Sequence, residues 1–142
     1  MKNIIIVLAI LVSVNSFGQK GDTVNKKIYA PLVLIGNTIN KTTTADSLLL
    51  NPTIIIHDIN AKKPSEIFSF VSATVIIIPH GSKPENIFVY ELTVPDLTEE
   101  IIEKIKSLKP QSVVLISEIV LLNSIGKRNG PDIIYTIKRP GE

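Results

Sequence analysis

"SVVLISEIVLLNSIGKRNGPDIIYTIK", residues 112–138, decides how this chain folds. It holds two β-branched runs, Ser112–Ile116 and Asp132–Lys138, on either side of a polar, glycine-containing segment. Gly126, Asn129 and Gly130 tolerate φ > 0, so a tight turn is expected over "GKRNG". Such a turn swings the last strand back beside Ser112–Ile116, and the alternation in Ile133–Ile137 then buries one face of it. Glu118–Ser124, between the first run and the turn, is expected to be a short helical or turn segment. Lys127, Arg128, Lys138 and Arg139 form the charged rim of the turn.

The pattern upstream is of the same kind. Ile87–Leu92 reads as a strand and Leu97–Leu108 as an amphipathic helix, with Leu97, Ile101, Ile105 and Leu108 on one face and Glu100, Lys104 and Lys106 away from it. Asp96 with Glu99 three residues on predicts a capping box, and Pro110 stops the helix. In the first half, Ala30–Ile35, Thr53–His57 and Thr74–Ile78 read as strands. Helical candidates lie between them at Thr44–Leu50, capped by Thr43 or Thr44, and at Lys63–Val71, where Pro64 and Ser65 suit a helix start.

Each half therefore reads β-α-β-α-β. "LLLNPTIII" (48–56) corresponds to "SLKPQSVVLI" (107–116), and "IIIPHG" (76–81) to "YTIKRPG" (135–141). The expectation is an α+β fold: two repeats, 30–81 and 86–141, joined by a polar linker at 82–85 and packed as one pseudo-symmetric small domain. Neither half is large enough to bury a sufficient core alone.

The first eighteen residues read as an export signal: Lys2, an apolar run over Ile4–Val14, then Ser16-Phe17-Gly18 as a small-x-small cleavage site. That run falls short of the ~20 residues a membrane-crossing helix needs. Residues 19–29 form a polar leader. Loss of Lys2 brings the 15 basic residues within one of the 13 acidic ones, so there is no electrostatic footprint for nucleic acid. With 0 Cys, the exported chain has no disulfide, thiolate zinc site or thiol nucleophile. No second long apolar run follows Gly18, and no membrane span is expected in the mature chain.

The order of a "PLVLIG" strand, a helix, a Leu-x-Pro, a strand, an "NG" turn and an alternating "IIYTIK" strand resembles the plug domain of TonB-dependent outer-membrane receptors. Those plugs open with a "PLVVIDG" type motif and close with a "YGSRGANGVIxITTK" type motif. Pro31–Gly36 matches the opening, and Asn129-Gly130 with Ile133–Lys138 matches the close. Ile35 stands directly before Gly36 where the family has an acidic residue, and Asn123-Ser124 replaces the Tyr-Gly of the close. The resemblance implies a plug-like fold in the periplasm or at the outer membrane of a Gram-negative bacterium. The transport barrel of that family is not expected, because the sequence ends at Glu142.

Chemistry is sparse. His57 and His80 fall at strand ends with no third ligand at a metal-site spacing. No Gly-x-Ser-x-Gly occurs, and "GKRNG" lacks the spacing of a phosphate loop. Glu99, Glu100 and Glu103 share a helix with Lys104 and Lys106, a paired solvated face rather than an acid/base dyad. No enzyme activity and no cofactor are expected. The leading expectation is an exported, non-enzymatic protein-interaction module with a cell-envelope partner such as an outer-membrane barrel. Lys127, Arg128, Asn129 and Arg139 are its candidate contact residues. The alternative is a periplasmic small-ligand or carbohydrate binding module using the cleft between the halves, although only 5% of residues are aromatic. Apolar strands such as Thr74–Ile78 are an aggregation hazard if exposed, so they are expected to be central or paired.

Overall fold

The computed structural model describes residues 31–142. The expected export signal and leader lie outside the described residues. Among the described residues eight strands are present: β1 (Leu32–Ile35), β2 (Thr42–Thr43), β3 (Ile54–His57), β4 (Ser69–Ile78), β5 (Phe88–Leu92), β6 (Val113–Asn123), β7 (Gly126–Asn129) and β8 (Ile133–Ile137). Two helices accompany them, α1 (Ala45–Leu48) and α2 (Glu99–Lys106). The architecture is mixed α+β and mostly sheet.

The main sheet runs β2-β8-β6-β4-β5, and β7 joins β6 on the edge that β8 also occupies. The β8 strand returns beside the start of β6 as expected, from Val113↔Thr136 to Ile116↔Ile133. The turn lies elsewhere. Asn123 Oδ1 accepts from the N–H groups of Ile125 and Gly126 at 3.0 and 3.2 Å, closing a tight hairpin at Asn123–Gly126. "GKRN" is therefore strand β7. Gly130 serves close approach: its N–H donates to Ile119 O at 2.7 Å, and a Cβ there would meet Ile119 Cγ2 at 3.0 Å.

Glu118–Ser124 is not a helix or a free turn, because β6 continues to Asn123. Glu118 has φ 50, and the β4–β6 register slips beside it between Ser72 and Thr74. One extra residue in the strand flips its side-chain parity. The core residues of β6 accordingly change from Val114 and Ile116 to Ile119 and Leu121. The i,i+3 spacing from Ile116 to Ile119, which imitates a helix, is the trace of this bulge.

The expected helix over 63–71 is replaced by a single 3-10 turn, Pro64–Glu66, followed by β4. Pro64 does start the turn, but Ile67 is already extended at φ −69, ψ 127, and the Phe68 N–H donates to Asp58 Oδ2 at 2.9 Å. Pairing of Ser69 and Phe70 with Leu122 and Leu121 then favours strand, a tertiary contact overriding a local start signal.

The α2 helix forms where the apolar period places it, but its cap differs from expectation. Thr98 Oγ1 accepts from the Ile101 N–H at 3.4 Å. Asp96 instead accepts from Thr53 Oγ1 at 2.7 Å. It is held in an extended bridge to β3, with Ile54 N–H donating to Pro95 O and Leu97 N–H to Pro52 O, each 2.8 Å. The α1 helix is capped by Thr44, whose Oγ1 accepts from the Ser47 N–H at 3.1 Å.

The two halves are paired differently. β1 and β3 form their own antiparallel ribbon, whereas the strands of the second half all join β4 in the main sheet. Residues 82–85 fall in the connection between β4 and β5, which pair from Ala73↔Leu92 to Ile77↔Phe88. The core gathers one face of the main sheet, including Val75, Ile77, Val114, Ile116 and Tyr135, against a second layer. That layer comprises Ile101 and Ile105 of α2, Leu48 of α1, and Val33, Ile35 and Ile54 of the ribbon. Each fully buried Ile or Leu contributes about 1.5–3 kcal/mol.

Candidate functional site

Residues directly opposite in an antiparallel pair share a face. Val89, Ile76, Leu115 and Ile134 are opposite one another in turn, so they form one row across β5, β4, β6 and β8. Along each strand this row alternates with the core residues, which puts it on the second face of the sheet. Ile78, Val113 and Thr136 make the next row, and Glu91, Thr74 and Ser117 border the first on its other side.

This face is unusual for an antiparallel sheet. Where one face is solvated, the outward positions are ordinarily polar, and strands apolar on both faces are ordinarily covered on both. Here each described helix and the β1–β3 ribbon puts residues into the core on the first face, and Ile76 and Leu115 lie outside that core cluster. Ile76 and Leu115 are buried, whereas Val89 and Ile134 at the ends of the row are 51% and 38% exposed. Ser117, 5% exposed, has no hydrogen-bond partner for its hydroxyl among the described residues.

Two strand edges flank this face. Among the described residues β5 pairs only with β4, and β7 only with β6, leaving outer backbone groups unpaired on both. β7 carries Lys127, Arg128 and Asn129, all exposed. Charge on such an edge deters unwanted pairing. Lys127 and Asn129 are opposite Leu122 and Val120 and lie on the second face, while Arg128 is opposite Leu121 and lies on the first.

Arg139 is elsewhere. Thr136 pairs with Val113 and Lys127 with Leu122, nine residues apart along β6, which is about 30 Å of strand. Arg139 lies beyond Thr136, where its N–H donates to Glu142 Oε2 at 3.2 Å. The structure thus brings Lys127 and Asn129 together and separates Arg128 and Arg139 from them. The apolar row carries a sequence signal of its own: "TVIII" and "SVVLI" lack the polar alternation of a half-solvated strand.

Asp132, between β7 and β8, has its carboxyl pushed above the usual 3.8, first by partial burial and then by the charge of Glu118; a hydrogen bond from the Glu118 backbone opposes the rise. Glu118 Oε2 also accepts from Thr74 Oγ1 at 2.8 Å. A raised folded-state value means that Asp132 supports the fold below the usual carboxylate range and opposes it as pH rises. Asp132→Asn is expected to raise Tm at pH 7 and to leave it unchanged near pH 3. The gain, for so exposed a group, stays below about 1 kcal/mol; paired thermal melts at the two pH values check it.

His57 ends β3 and His80 follows β4. Among the described residues, no three His, Cys, Asp or Glu side chains converge as a metal site would require. A cavity of about 370 Å³ opens between the β4–β5 connection and the C-terminal end of α2. None of the described helices is long and apolar enough to cross a membrane. The sequence matches no family model, and no curated protein is significantly similar to it.

Proposed function

We propose that this chain is an exported, non-enzymatic interaction module of the periplasm or outer-membrane face, related in design to a receptor plug, and that it engages a protein of the cell envelope through the second face of its sheet. The observation that carries this reading is the row Val89–Ile76–Leu115–Ile134, apolar on the face opposite the core, with its two ends, Val89 and Ile134, exposed. Several features support it further. Lys127 and Asn129 lie on the same face, and the β5 and β7 edges, unpaired on their outer sides among the described residues, offer backbone groups for strand addition. An outer-membrane barrel is the partner that the plug resemblance favours. A duplication origin rests on the matched Leu-x-Pro positions of the two halves and on the likeness of "IIIPHG" (76–81) to "YTIKRPG" (135–141).

Photo-crosslinking residues placed at Val89 or Ile134 in cells are the direct test. Adducts with one envelope protein are expected from both positions and not from Glu85 in the β4–β5 connection. They are expected to disappear when the untagged position of the pair is changed to Glu. Equal labelling from all three positions, or no adduct from the row in a folded and exported protein, would refute the reading.

A further inference from the structure

The cavity beside α2 has a chemical character that the sheet-face reading does not use. Its volume of about 370 Å³ falls within the range of small-molecule sites. His80 and Ser82 line it from the β4–β5 connection, Phe88 from β5, and Lys104, Leu108 and Lys109 from the end of α2 and beyond. No Asp or Glu is among the described residues that line it. Lys106 is paired with Glu103 at 2.6 Å, whereas Lys104 and Lys109 have no carboxylate at ion-pair distance among the described residues.

The lining is also partly fixed in place. Lys104 Nζ sits 3.9 Å from the centroid of the Phe88 ring, which holds the ammonium on the cavity wall. The His80 N–H donates to Ser112 Oγ at 2.9 Å and anchors the connection to the start of β6. Ser82 Oγ is buried without a partner among the described residues, an unmet polar group that a ligand at this wall can satisfy once the side chain turns toward the cavity.

We infer that this cavity binds a small organic acid, its carboxylate between Lys104 and Lys109 and its apolar body against Phe88 and Leu108. The cations supply the charge complement and the two apolar side chains the shelf, the usual division of labour in a small-molecule site. Because the two cations are at the protein surface, the binding is weak and salt-dependent. It is independent of whether a protein docks on the sheet face.

Titration of the ¹⁵N-labelled protein with benzoate, and in parallel with neutral benzamide, tests this. Benzoate is expected to give saturable shifts at the amides of Gly81, Ser82, Ser107 and Leu108, while benzamide leaves them in place. The Lys104→Met/Lys109→Met variant, with its dispersed spectrum confirming the fold, is expected to bind about fivefold more weakly or worse. Lys127→Met serves as a control for loss of surface charge and is expected to bind as the parent does. Equal response to benzamide, non-saturating shifts spread over the surface lysines, or unchanged affinity in the double variant would overturn the inference.

Discussion

Gly36→Ala is expected to destabilise the protein by about 3 kcal/mol or more, enough to lower Tm by roughly 10 °C for a domain of this size. Gly36 follows β1 at φ +53, in the left-handed region. Its N–H donates to Thr53 O at 2.7 Å, which fixes the end of the β1–β3 ribbon. A Cβ at Gly36 would lie 2.7 Å from Asn51 O and 2.9 Å from Asn51 Cβ. The first contact is with backbone, so relief requires moving the segment that leads into β3. Left-handed strain adds about 1–2 kcal/mol to that clash. Gly81→Ala separates the two contributions. Gly81 has φ +68 but nothing within 4 Å of the added Cβ, so only the strain applies and about 1 kcal/mol is expected. Urea melts of the two variants decide the matter: if Gly36→Ala costs no more than Gly81→Ala, the close packing of Gly36 on Asn51 is not present in solution.

That glycine also shows what can be read from sequence. "PLVLIG" announces a strand ending in a turn, and the turn is there, but the neighbour that makes Gly36 obligatory, Asn51, comes from another part of the chain. Legibility follows the same division elsewhere. The α2 helix is legible because its apolar period is local and long enough to be unambiguous, and β8 because its alternation marks a strand with one buried face, although the tight hairpin lies at Asn123–Gly126 and not at "GKRNG". Thr98 displaces Asp96 as the cap because Asp96 is held by Thr53, a contact across 43 residues. Lys63–Val71 carries a genuine helix start in Pro64, overruled by the pairing of β4 with β6. The bulge at Glu118 is the hardest to foresee, since an extra residue in a strand produces the spacing of a helical turn.

The candidate site follows the same rule. Lys127, Arg128 and Asn129 are adjacent in sequence and suggest a patch, yet in a strand adjacent residues alternate between faces. Arg139 looks close to them because a turn was expected at "GKRNG". With the turn moved to Asn123–Gly126, the chain from β7 to Arg139 runs straight along β6 instead of doubling back. The apolar row is legible only as a property of composition: strands without polar alternation. Which residues stand side by side depends on register, and register is set by the hairpin and the bulge together.

Tyr135 supplies the other large effect, and it separates the stability of the fold from the function proposed for the sheet. Its side chain is 1% exposed, and its hydroxyl accepts from the Ile35 N–H at 2.9 Å and donates to Thr38 O at 3.0 Å. One phenol thus ties the ribbon layer to β8 across the core. Tyr135→Ala is expected to cost about 3–5 kcal/mol through lost burial and the cavity left behind. Tyr135→Phe keeps the ring but leaves the buried Ile35 N–H unmet, for about 1–3 kcal/mol. Burial pushes the phenol above its ordinary 10.0, partly offset by the Ile35 hydrogen bond. Because the folded value is raised, the contribution of the neutral phenol is complete below pH 10 and is lost as pH rises through the folded value. Parent stability should therefore fall more steeply above pH 10 than that of Tyr135→Phe, while Tyr90, common to both, cancels in the comparison. Ile134 precedes Tyr135 and points to the opposite face, so loss of the hydroxyl leaves the apolar row in place. Tyr135→Phe should melt earlier and still crosslink from Val89 at the parent level wherever it is folded. Loss of crosslinking without loss of fold would instead make the two faces one coupled unit, with the partner reading the ribbon layer through the sheet.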